Sequence, residues 1–455
     1  KRNTEINDRL CQKALEAIAN EMFPDNLFGL GWDYATAVVN AVDTCANPTD
    51  SLFQTLLREG ALAEDIDYSK DDKGNYVPKP IVRFAYERFS DQFVAQKLLR
   101  DVVGPGDLFN KDHPLGKAID ENRLSRCRGI LDALAVIIPE KFGIEFWDVL
   151  PADLKSNRQS AEFYFFDSLP YRAPSSFTDK TSDLFNSLRL YEYGFQSKRL
   201  DLLLQFAAEP THPWNAERLH KLLAAKSMPE RDSLWSVYVA KNDYEEEYDG
   251  EYEQPESTIR STIEWATFGE LAFVEEKQAR LSLITLIWFT TTTNRRTRDQ
   301  ATKAASRLFA RYPSLVVPLL TLFQDADDLY LQERLYASAY GGLCNAVDDE
   351  HLKSAAKHVF ESQFKDSTPI EHLLLRDFAR GIVELAISRD CLDESIVVEN
   401  CRPPYKSDWP LENPPANEFN HYGNKIEYSV FSDDFGRYTM GSIHKWSPTP
   451  LVQVN

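Results

Sequence analysis

The stretch from Leu281 to Leu343, LSLITLIWFTTTTNRRTRDQATKAASRLFARYPSLVVPLLTLFQDADDLYLQERLYASAYGGL, most limits what this chain can become. Its apolar residues recur at helical spacing, yet breakers interrupt them too often for one long helix. Four short helices fit. The first runs through Leu281, Ile284, Leu286 and Trp288 and stops in the Thr/Asn run. The second is expected to start at Thr297, with Gln300 completing a capping box. Its Ala301, Ala304, Ala305, Leu308 and Phe309 form one apolar stripe. Pro313 admits a third helix over 315–323, and Asp327 or Asp328 caps a fourth that is expected to end before Gly341-Gly342. Helices this short are marginal alone, so their stripes must be covered by neighbours. The expected fold class is therefore mainly α, with a HEAT/TPR-like α-solenoid.

Length and charge narrow the function. A chain of 455 residues predicts more than one domain. Its formal net charge of −20 repels nucleic acid and anionic lipid and favours a basic partner. No apolar run is long enough for a transmembrane helix, and the N-terminus lacks the apolar centre of a signal peptide. The chain opens on Lys1 rather than Met, as a piece of a longer chain would. Cys11, Cys45, Cys127, Cys344, Cys391 and Cys401 show no CxxC spacing and read as reduced thiols, which places the chain in the cytoplasm.

Three segments are expected along the chain. Residues 1–100 read as a winged-helix-like module. Leu10, Ala14 and Ile18 mark a first helix; Tyr34, Ala37, Val38, Ala41 and Val42 a second; Leu52, Phe53, Leu56 and Leu57 a third, stopped at Gly60. Two strands follow around a turn at Asp72-Lys73-Gly74, then a helix with Phe89 and Phe93 on one face. The third helix, SLFQTLLRE, is too poor in basic and amide side chains to read a DNA groove. Residues 101–400 read as helical repeats, with capping boxes at Ser227/Glu230 and Thr368/Glu371. Residues 401–455, rich in proline and aromatics, are expected to pack along the last repeats.

Candidate functional residues are few. The segment KNDYEEEYDGEYEQPES is dense in carboxylates and tyrosines, and Tyr244, Glu245, Glu246, Glu247, Tyr248 and Tyr252 are the expected contacts for a basic partner. By composition alone the segment reads first as a solvated, mobile insertion. His351 and His358 share a helix face, and His212 and His220 flank PWNAERL, but neither pair has a third ligand at a suitable spacing. Asp299 and Glu333 sit beside Arg298 and Arg334, and inter-helix ion pairing explains them better than acid–base chemistry. No GxxxxGK[ST] phosphate loop and no GxSxG elbow occurs, so catalysis is not expected of this chain.

Several blocks recur in an order that resembles one family. These are PIVRFAYERFSDQFVAQKLL, GILDALAVIIPEKFGIEFWDVL, FYFFDSLPYRAPSSFTDKT, HPWNAERLHKLLAAKSMPERDSLWSVY, STIRSTIEWA, TNRRTRDQATKA, DDLYLQERLYASAYG and DDFGRYTMGSIHKWSP. Together they resemble the winged-helix and sensor portion of bacterial antiviral STAND NTPases, the Avs family. The resemblance implies an upstream effector and an upstream nucleotide-binding module that takes ATP and Mg²⁺. It also implies a sensor for a phage large terminase subunit or portal protein, and self-association, as a tetramer, on activation. Neither nucleic acid nor membrane is an expected partner. The family's nucleotide-contacting residues have no positions here. A HEAT/TPR-like interaction scaffold unrelated to phage defence fits the same helical pattern.

Overall fold

The computed structural model describes residues 4–25, 28–43, 51–70, 75–100, 102–120, 124–156, 158–188, 195–242, 257–366 and 370–405. The chain is mainly helical, with three short strands among the described residues. Two hydrophobic cores organise it, one from residues 14–164 and one from 165–401.

The first core opens with α1 (Thr4–Met22), β1 (Leu30–Gly31), α2 (Trp32–Val42), α3 (Leu52–Arg58), β2 (Leu62–Lys70) and β3 (Tyr76–Phe84). Ala14 and Ile18 of α1 are fully buried. In α2 the buried pair is Ala35 and Val39, whereas Tyr34 is half exposed. The stripe expected through Tyr34, Ala37 and Ala41 is thus turned by about one residue, because Trp32 at the start of α2 packs edge-on against Phe53 and sets the rotation of the helix. Ser51 caps α3 by accepting from the Gln54 amide. The two expected strands pair antiparallel from Leu62↔Phe84 to Lys70↔Tyr76, and β1 adds to the far side of β3, giving the order β1-β3-β2. The expected turn at 72–74 lies outside the described residues.

Next come α4 (Glu87–Leu98), α5 (Pro114–Asp120), α6 (Arg128–Phe142), α7 (Phe146–Val149), α8 (Ala152–Ser156) and α9 (Arg158–Ser168). Phe93 packs on Phe84, but Phe89 is 53% exposed and meets Tyr86 instead. The two phenylalanines do not share a buried face, since Val94, Ala95 and Leu98 supply the face turned to the core. Helix α9 belongs to both cores: Ala161 and Tyr164 lie in the first, Phe165 and Phe166 in the second. The boundary read at residue 100 falls inside the first core.

The second core contains α10 (Asp179–Ser187), α11 (Phe195–Phe206), α12 (Ala216–Ala224), α13 (Met228–Arg231) and, after a π turn over 232–236, α14 (Val237–Asn242). It continues through α15 (Thr258–Phe268), α16 (Glu276–Phe289), α17 (Arg295–Arg311), α18 (Val316–Phe323), α19 (Leu329–Asn345), α20 (Asp349–Val359) and α21 (Leu373–Ser388). Every residue of α16 from Leu281 to Phe289 is buried, as expected of a helix that is apolar all round. Its last carbonyls are satisfied by side chains: Trp235 Nε1 donates to Trp288 O at 2.8 Å, and the Thr290 hydroxyl to Ile287 O at 2.7 Å.

Helices α17, α19 and α21 lie parallel. Asp299 pairs with Arg334 near the starts of α17 and α19, and Gly342 meets Phe309 near their ends. Gly381 meets Tyr340, and Arg389 donates to Cys344 O between α19 and α21. Arg307 of α17 ties in α15 by donating to Ala266 O and Gly269 O.

Two helix ends differ from expectation. Helix α17 starts at Arg295 with Asn294 as its cap, accepting from the Arg296 amide at 3.0 Å; Thr297 is fully buried one turn in. Helix α19 runs through Gly341-Gly342 to Asn345, because a bare backbone there lets α17 approach. A Cβ on Gly342 would stand 2.4 Å from Phe309 Cβ and 2.9 Å from Ser306 O. Asp328 caps α19 as expected, accepting from the Tyr330 and Leu331 amides. The Ser227/Glu230 capping box forms, whereas the one at Thr368 lies outside the described residues.

Gly342→Ala should therefore destabilise the protein. Overpacking costs about 1–3 kcal/mol, which outruns the propensity gain of about 1 kcal/mol. Gly106, with nothing within 4 Å of a Cβ, should accept alanine without loss. Thermal unfolding of the two variants side by side checks this.

Candidate functional site

An open cleft of about 1030 Å³ lies where the two cores meet. Helices α4 and α6 form one wall; the end of α9, the turn through Tyr171 and helix α11 form the other. The sequence builds it by an unusual device. Three of its carboxylates are single aspartates within apolar runs: Asp132 in GILDALAVII, Asp167 in FYFFDSL and Asp201 in RLDLLLQF. Each helix turns its aliphatic residues to a core and its single aspartate to the cleft.

Asp91 is the most constrained group. It lies against α6 at Gly129, where an added Cβ would stand 2.0 Å from Asp91 Oδ2. Burial raises its pKa to about 6, helped by the neighbouring Glu87 and Asp132 and opposed by Arg88. Burial also raises that of Asp132, against the pull of Arg128. Asp201 is raised by burial too, although the Tyr238 hydroxyl donates to it. Lys198 pairs with Asp167, and the Arg88 guanidinium stacks over the Tyr171 ring at 4.9 Å.

Tyr171 faces the cleft, but its neighbour Arg172 turns into a sealed polar knot. Arg172 Nη1 donates to Glu145 Oε2 at 2.8 Å, with both side chains almost wholly buried. Thr181 donates to the other oxygen of Glu145, and Arg172 Nε to the Ser168 hydroxyl at 3.0 Å. This knot ties the loop after α6 to α10, and so one core to the other.

The residues expected to carry function are placed as follows. Tyr244, Glu245, Glu246, Glu247, Tyr248 and Tyr252 lie outside the described residues. Asp299 and Glu333 join an inter-helix network: Arg334 reaches Asp299 at 3.2 Å and Glu333 at 3.7 Å, and His372 reaches Glu333 at 3.6 Å. Tyr330 is stacked by both Arg298 and Arg334. This is the ion pairing between neighbouring helices read from the sequence. His212 stacks on Phe206 with Nδ1 accepting from the Trp214 amide, and burial lowers its pKa to about 4. His220 lies apart from it, against Phe323. Among the described residues no group of three His, Cys, Asp or Glu could hold a metal ion, and Cys11, Cys127, Cys344, Cys391 and Cys401 form no disulfide. Among the same residues no helix is long and apolar enough to cross a membrane.

Comparison with protein-family models, curated proteins and solved structures returns no match to this chain.

Two outcomes follow from this geometry. The pKa of Asp91 is raised in the folded chain, so its ionisation destabilises the fold; that cost is absent below about pH 4 and present in full above about pH 6. Asp91→Asn should raise stability at pH 8 by about 1 kcal/mol, after discounting for solvent screening, and leave it unchanged at pH 4. Denaturant titrations at the two pH values read the difference. Arg172→Met should cost about 3–5 kcal/mol by stranding the buried Glu145, and Arg172→Met with Glu145→Gln should recover part of it.

Proposed function

We propose that this chain is the recognition portion of a bacterial anti-phage STAND NTPase, and that it engages a phage structural protein, the large terminase subunit or the portal. Engagement drives self-association of the full-length protein into a tetramer and switches on its upstream effector. The first core supplies a winged-helix-like module and the second a HEAT/TPR-like solenoid. The observation that carries this reading is the side-by-side row of α15, α17, α19 and α21, joined by an ion pair between α17 and α19 and by arginine-to-carbonyl hydrogen bonds between the other neighbours. The order of the sequence blocks supports the family.

Charge supports a basic partner. Five carboxylates line the cleft against three cations, and the whole chain carries −20. Cationic side chains of a nucleic-acid-handling protein suit such walls. ATP and Mg²⁺ belong to the upstream module, in keeping with a sequence that has no GxxxxGK[ST] phosphate loop. The chain acts in the cytoplasm and does no chemistry of its own.

Co-purification tests the proposal. The tagged chain is expressed beside a panel of phage large terminases and portals, with a host lysate as control. A stoichiometric complex with one phage protein on size exclusion is the expected result. Asp132→Lys with Asp201→Lys should weaken it about tenfold or more, by placing like charge against a basic partner. Capture of a host subunit, with no phage protein bound, would replace this reading with that of an interaction scaffold.

A further inference from the structure

We propose that the cleft is a closable joint: the α4–α6 half and the α11 half rock about α9, opening and narrowing the space between them. Three observations carry this. First, one short helix is shared by both cores, which change over between the adjacent residues Tyr164 and Phe165. A small rotation there moves one wall against the other without breaking either core.

Second, the ties across the junction are unequal. Away from the cleft the halves are fixed by the buried Glu145–Arg172–Thr181 knot and by the Ala173 amide, which donates to Glu140 at 2.6 Å. Across the cleft mouth Arg88 supplies the ties, stacking on Tyr171, which is 60% exposed, and attracting Asp167. A rigid end and a weak end make a hinge with its latch.

Third, both walls carry net charge of the same sign. The α4–α6 wall sets Arg88 and Arg128 against Glu87, Asp91 and Asp132; the opposite wall sets Lys198 against Asp167 and Asp201. The net negative charge of each wall repels that of the other, so the walls stand apart at neutral pH. Removing charge from either wall draws them together. The motion is a property of the chain itself and does not depend on what it recognises.

The test uses the full chain with spin labels on ketone-bearing unnatural residues at Phe89 and Ala208, one on each half. Distances are read by pulsed dipolar spectroscopy. At pH 8 the wild type should give the longer distances. Asp91→Asn with Asp132→Asn at pH 8, and the wild type at pH 5, should both shift to shorter ones. Tyr171→Ala should broaden the distribution toward longer ones. A control pair at Phe89 and Lys141, within the first half, should not move. Identical distributions in all four samples would overturn the proposal, and so would equal movement of the control pair, which would place the change inside one half.

Discussion

Helix α16 is enclosed on every side from Leu281 to Phe289, and the second half of the chain is arranged to enclose it. A helix with no polar face cannot stand at a surface, so α12, α15, α17 and α19 are drawn around it. Its polar ends then need partners inside the protein. Trp235 and Ser236 meet that need by donating to Trp288 O and Thr291 O. The π turn over 232–236, which carries both side chains, sits at that point. Local irregularity here serves hydrogen bonding at a buried helix end.

The row of α17, α19 and α21 follows from the same demand. Each covers part of the core with one stripe, and parallel neighbours must then pack flank to flank. Two kinds of residue solve that. Glycines 342 and 381 admit Phe309 and Tyr340 where backbones come close. Polar side chains join the starts of the helices, Asp299 with Arg334 and Glu333 with His372.

Much of this fold was legible in the sequence. The stripe Ala301–Phe309, the Asp328 cap, the Ser227/Glu230 box and the β2–β3 hairpin all rest on local periodicity or capping chemistry. What was not legible depended on distant contacts. Gly341-Gly342 has the sequence of a helix stop, but α17 fills the space a side chain would need. Thr297 has the sequence of a cap, yet burial claims it and Asn294, the better cap former, takes the role. Phe89 looks like a core residue until Val94 and Ala95 set the inward face. The cleft was missed although it left a trace: a single aspartate in an apolar helix, three times over. One such residue is ordinary; only the fold brings Asp132, Asp167 and Asp201 to one space.

The double membership of α9 bears on how the chain comes apart. An eleven-residue helix has little stability of its own. Its buried residues divide between the two cores, so loss of either core exposes a flank that it was built to hold. The two halves are therefore not separable melting units joined by a tether. They form one cooperative block, and a cut placed on either side of α9 leaves a fragment with an uncovered apolar face.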